Sequence, residues 1–110
     1  MFGKLNKGKV TVKEGINTKA QEFVPLKTFT GETIIVDGFF FTSGDYGRQV
    51  VVVGNGYNIN MPKRAVEQFE QIRDDDEMLQ ALLEGHLAID GVKEIKTKNG
   101  KTVSYSLKDI

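Results

Sequence analysis

The sequence predicts a mainly β protein with some α content: five strands curled into a small barrel, with a helical segment between the third and fourth. Three observations carry this. Strand-like runs fall three before and two after a helix-patterned stretch, residues 62–85. Asn55-Gly56 and Asn99-Gly100 are two-residue hairpin signals between such runs. Gly38 stands mid-way in the longest run, where a strand shared by both sides of a barrel must bend.

The elements follow in order. Residues 1–20 are polar, with little periodicity beyond a short strand-like KVTV, and read as a basic N-terminal arm to a domain spanning 21–110. EFVPLKTF (22–29) is apolar but broken by Pro25, as in an edge strand. Thr30-Gly31 turns the chain into ETIIVDGFFFT (32–42), β-branched and aromatic throughout. After the turn cluster SGDYG come RQVVVVG (48–54) and YNINM (57–61). Pro62 opens a helix with Ala65, Val66, Phe69 and Ile72 on one face. An aspartate in Asp74–Asp76 caps a second helix, with Glu77 placed as in a capping box and Met78, Leu79, Leu82 and Leu83 as its apolar face; Gly85 ends it. HLAIDGVKEIKT (86–97) and KTVSYSLKDI (101–110) complete the order. Five antiparallel strands with a helix after the third describe an OB-type Greek-key barrel; the rival is an open α+β sheet.

Composition narrows the function. With 110 residues the chain is about one domain on a prior of roughly 100–200 residues each. No apolar run approaches the roughly 20 residues of a membrane span, and MFGKLNKGKV has no apolar signal core, so the expectation is a cytoplasmic protein without membrane contact. Absence of cysteine removes disulfides and thiolate chemistry. Net charge is zero but segregated: residues 1–20 carry five lysines against Glu14, residues 61–90 eight acids against Lys63, Arg64 and Arg73, and residues 91–110 five lysines against Glu94 and Asp109. If the two ends meet, they form a basic face that the total conceals.

Catalysis finds little support. His86 is the lone histidine and follows a helix stop, with no cysteine or second histidine to assist it. Asp74–Glu77 lacks the spaced ligands of a calcium loop and suits a helix N-terminus. No phosphate-loop or dinucleotide motif occurs. The expectation is a protein that is not an enzyme and uses no cofactor or metal.

A single-strand nucleic-acid binder needs rings on which bases stack and cations along the phosphate path. The candidate rings are Phe39, Phe41, Tyr46, Tyr57 and Tyr105; the candidate cations are Arg48, Lys63, Arg64, Lys93, Lys96, Lys98 and Lys101. In a five-stranded barrel the loops after strands one and four, here Ser43–Gly47 and Lys98–Lys101, border the binding face. The three phenylalanines pose a register question. With no bulge at Gly38, Phe39 and Phe41 share Asp37's outward face; with a bulge, only Phe40 points out. Exposed rings and arginine suit a protein–protein interface equally well, which is the alternative function.

The run VDGFFFTSGDYGRQVVVV, followed by YNINMPKRAVEQFEQI and a C-terminal hairpin, resembles the small single-stranded-DNA-binding proteins of bacteriophages and prophages over roughly residues 30–110. The resemblance implies an OB-fold, sequence-tolerant binding of single-stranded DNA with RNA as a variant, frequent homodimers, and work in replication or recombination beside proteins of those pathways. The acidic C-terminal tail that many members carry has no counterpart in the closing SLKDI.

Overall fold

Six strands form one curled sheet: β1 (Phe23–Pro25), β2 (Ile34–Gly44), β3 (Gly47–Gly54), β4 (Tyr57–Asn60), β5 (Leu87–Thr97) and β6 (Gly100–Asp109), in the order β1-β4-β3-β2-β5-β6. Two helices, α1 (Ala65–Asp74) and α2 (Asp76–Leu83), lie between β4 and β5. The computed structural model describes residues 10–44 and 47–110. The protein is thus mainly β, as expected, but has one strand more than the predicted five. The additional strand, β1, has three residues and runs parallel to β4. Pro25 at its end has no N–H to extend a ladder, so periodicity barely marks it.

The bulge at Gly38 is real, and it settles the three phenylalanines. The β2–β3 register shifts between Val36, opposite Gly54, and Gly38, opposite Val53. Before the shift Ile34 and Val36 enter the core; after it Phe39 does, opposite Val52, with Phe41 opposite Val50. Phe40 takes the other face, opposite Val51, where Phe23 meets it edge to face at 6.3 Å. The same strand serves two neighbours: Ile34 and Ile35 pair with β5, and the residues beyond the bulge with β3.

Two glycines allow this geometry through close approach. A Cβ on Gly38 would lie 2.5 Å from the Val12 Cα and 2.7 Å from the Thr11 carbonyl oxygen. There the N-terminal segment hydrogen-bonds to β2: the Phe39 amide donates to Thr11 and the Lys13 amide to Asp37. A Cβ on Gly54, at the far side of the bulge, would lie 2.6 Å from the Ile34 Cγ2. The segment continues across the sheet's outer face, where buried Asn58 donates from Nδ2 to the Thr18 carbonyl at 2.7 Å. From residue 10 onward the basic arm therefore lies on the sheet.

Helices and turns follow their local chemistry with two shifts. Pro62–Arg64 make a turn before α1 begins at Ala65. Ala65, Phe69 and Ile72 are buried, and the Phe69 ring sits 5.1 Å from that of Phe39. Asp75 caps α2, its carboxylate accepting from the amides of Glu77 and Met78. Glu77 is thus one residue short of the capping-box position, and Met78 is 47% exposed rather than on the apolar face. At the first hairpin Asn55 and Gly56 both have positive φ, as the Asn-Gly pair predicts. At the second, Thr97 pairs with Gly100, so Lys98-Asn99 form the turn, one residue earlier than expected.

Gly38→Ala should lower stability by about 1–3 kcal/mol through overpacking. It should also free the amides of Lys13 and Phe39 while β3–β4 stays protected. Denaturant titration and amide exchange check this; unchanged protection at Lys13 would show that the N-terminal segment does not depend on the glycine.

Candidate nucleic-acid interface

Among the described residues, the β5–β6 hairpin carries a group of four unpaired cations. Every residue from Lys93 to Lys101 is exposed, and none of its four lysines makes an ion pair among the described residues. Cross-strand pairing fixes their directions. Lys96 stands directly opposite Lys101, on the same face as Val103, whose side chain packs on the core. Lys93, opposite Ser104, points to the other face, and Lys98 sits in the turn. Like charges directly opposite on a sheet are destabilising; Glu94, on the same face opposite Val103, shares their hollow without forming an ion pair with either, so the pair favours a further anion.

From that hairpin the charged face continues into a cleft between the two sheet edges. Its lining comes from β1 (Pro25) and the following 3-10 turn (Leu26, Lys27), from the end of β4 through Lys63, and from Lys101, Thr102 and Val103 of β6. It encloses about 390 Å³ and its lining holds no carboxylate. Lys27 is the residue that sequence reasoning missed. It lies in a segment read as strand, in a turn too short for a periodic signal, and only tertiary folding brings it to Lys63 and Lys101.

Arg64 and Tyr105 lie beside the cleft, next to its Thr102 and Val103. The Arg64 Nη2 donates to the Val103 carbonyl at 2.6 Å, and its guanidinium lies 4.9 Å from the centre of the Tyr105 ring. The Tyr105 hydroxyl bonds to Gln68 on α1. Burial pushes the Tyr105 phenol above its ordinary pKa, against the opposing pull of Arg64.

A second hollow, of about 500 Å³, adjoins at Lys63 and Arg64 and reaches Gly47, Arg48, Glu67 and Glu70. Here one cation of the lining, Arg48, is neutralised and two carboxylates, Glu67 and Glu70, stand among the rest. Arg48 donates to Glu70 at 2.6 Å and covers the Phe41 ring at 4.0 Å, while Arg73 lies 5.5 Å from the same ring.

The ring candidates divide accordingly. Phe39 is fully buried, so it cannot stack on a base; the bulge that turned it inward removes it from the site. Phe41 is half-buried beneath arginine rather than open. Tyr57, 38% exposed, has its ring edge against Phe29 at 5.9 Å. Tyr46 lies outside the described residues. Lys63 and Lys101 are brought together in the cleft lining, Arg64 and Tyr105 adjoin it through Arg64's bond to Val103, Lys96 and Lys98 extend along the hairpin, and Lys93 faces away. His86 is held at the sheet's base, with its Nδ1 3.1 Å from the Ile110 carbonyl oxygen. No helix among the described residues is long and apolar enough to cross a membrane.

The raised Tyr105 pKa has a pH signature. The folded state favours the neutral phenol. That contribution is intact below the unfolded value of about 10 and is lost as pH rises through the higher folded value. Relative to Tyr105→Phe, the wild type should be more stable near neutrality by roughly 0.5–1.5 kcal/mol for the hydrogen bond, and this advantage should shrink above about pH 10. Denaturant titrations of both proteins across the alkaline range measure it; a constant difference would contradict the assignment.

No family model, curated protein or solved structure matches this chain, so the reading of these residues rests on their geometry and chemistry.

Proposed function

We propose that the protein binds single-stranded DNA without reading its sequence, on an OB-type barrel that stays open at one seam. The observation that carries the reading is the exposed hairpin with Lys96 directly opposite Lys101, both unpaired among the described residues. A sugar-phosphate strand supplies the anion this pair lacks, and releases bound counterions as it does so. Tyr57 is the partly exposed ring left for bases, which every sequence offers equally, and Tyr105 becomes one where Arg64 moves off its face to a phosphate. The OB-type assignment is supported by the shared first strand, the meander β2–β3–β4, and the helices between β4 and β5. Strand tilt in such a barrel staggers the ends, consistent with Arg64 beyond β4 reaching Val103 of β6.

Protein–protein interaction is the second reading, favoured by one observation. Phe23, 54% exposed, lies edge-on to Phe40 on the face turned away from the core. It requires neither the lysine pair nor the cleft.

Fluorescence anisotropy with labelled single-stranded DNA, duplex DNA and RNA at two salt concentrations tests the proposal. Single strands should bind best, with affinity falling as salt rises. The double variant Lys96→Ala/Lys98→Ala should flatten the logarithmic salt slope by about 1.4, two contacts at about 0.7 each, and weaken all sequences alike. Equal binding of duplex, or no binding of any strand, would move the interaction reading ahead.

A further inference from the structure

The sheet's two edges fail to meet across the cleft, and the reason lies in its walls. β1 and β6 are the terminal strands of the sheet, with no hydrogen bond between them. Both prolines of the chain, Pro25 and Pro62, line the gap. Neither has an N–H to donate, so this wall cannot be zipped to β6 as a continuous ladder. Arg64 takes the Val103 carbonyl that a closing strand would otherwise use. The result is a slot with an apolar lining of Leu26, Met61 and Val103, and with lysines from three distant segments in its lining: Lys27, Lys63 and Lys101. None of the three has an ion-pair partner among the described residues.

We propose that this open seam is the channel through which the unpaired strand passes, its phosphates on Lys27, Lys63 and Lys101 and one nucleotide's apolar surface against Met61 and Val103. The proposal rests on the single-strand reading of the protein and gives that reading a path. Lys101 lines both the cleft and the hollow beside Lys96, whose lining also holds Glu94, so the hairpin and the seam are continuous, with three lysines to one carboxylate where they meet: Lys96, Lys101 and Lys63 against Glu94. The same chemistry would select against duplex. At about 390 Å³ the cleft falls in the range of roughly 300–1,000 Å³ that accommodates small ligands. A nucleotide can enter it, but a base still paired to its complement cannot bring the second strand along.

The test uses the full chain and two kinds of variant. Lys27→Ala/Lys63→Ala removes two charges that the hairpin variants leave untouched. Its salt slope for a single-stranded oligonucleotide should flatten by about 1.4, with about a 25-fold loss of affinity at 0.1 M salt relative to 1 M behaviour. Both side chains are exposed, so the thermal midpoint should stay within a few degrees. The second variant, Thr102→Cys, puts one thiol in a chain that has none. Labelling it with a bulky maleimide obstructs the cleft while every lysine remains. Labelled protein should lose at least tenfold in single-strand affinity relative to unlabelled Thr102→Cys, the two differing only in what fills the cleft. Acetylation footprinting should show Lys27 and Lys63 protected by the oligonucleotide. If the wild type binds but the lysine variant keeps its affinity and slope, or the labelled protein binds normally, the channel is wrong and the hairpin alone carries binding. If duplex binds as well as single strands and is lost in parallel, the seam does not select unpaired bases. If the wild type binds no strand at all, the functional reading falls with it.

Discussion

One irregularity, the bulge between Val36 and Gly38, sets the geometry on which the rest depends. A regular strand would keep Ile34, Val36 and Phe40 on one face and put Phe39 and Phe41 on the other. Insertion of one residue lets Ile34, Val36 and Phe39 share a core, and it bends β2 between β5 on one side and β3 on the other. Burial of the Phe39 ring against Phe69 then ties the sheet to α1. A large ring in this position is worth roughly 3–5 kcal/mol, much of the margin of a small domain. The cost is backbone proximity: glycine is required at 38, where Thr11 and Val12 approach, and at 54, where Ile34 does. These are steric requirements on two positions in the strands, distinct from the turn glycines.

Electrostatics follows from topology in the same way. From Ala65 to Glu84 the chain carries seven acids against Arg73 alone. The helices keep these charges on their outer side while their apolar residues enter the core. The strands after them carry the lysines out along a hairpin that extends past the sheet. A net charge of zero therefore coexists with a field that changes sign across the molecule. Two arginines near the helices are neutralised, Arg48 by Glu70 and Arg73 by Asp74. Such an exposed pair adds little stability, but it covers the Phe41 ring and removes one open stacking surface. The concentration of unpaired charge along the hairpin and the seam is what favours a nucleic-acid reading over a general aromatic interface.

What the sequence reveals and what it hides can be traced to range. Asn55-Gly56, Asp75 and Gly85 act through their own backbone and neighbours, and each occupies the turn or cap expected of it. The alternatives for the phenylalanines are readable as well, because a bulge swaps faces by a fixed rule. Choosing between them takes the partner strand, which no local pattern supplies. β1 escapes because three residues pairing in parallel leave no period. The second hairpin turn shifts by one residue, and this decides the site: a turn at Asn99-Gly100 would set Lys98 against Lys101, whereas the observed frame sets Lys96 there. Lys27 is invisible for a different reason, since its significance exists only once Lys63 and Lys101 surround the same cleft.

An open seam brings a hazard that the molecule meets in the same place. Free sheet edges invite pairing with other chains, and proteins blunt them with proline, short strands and inward-pointing charge. At one edge β1 is three residues long and ends in Pro25. At the other, β6 runs for ten residues, and an unprotected edge of that length would template aggregation. Arg64 caps its Val103 carbonyl and is itself held against the Tyr105 ring. The guanidinium thus does in one direction what a closing strand would do along a whole ladder, without filling the cleft. Lysines at the mouth add repulsion between copies. Features that blunt edge-to-edge association are therefore the same ones that leave a basic, apolar-lined slot, so edge protection and the proposed channel would draw on one arrangement rather than two.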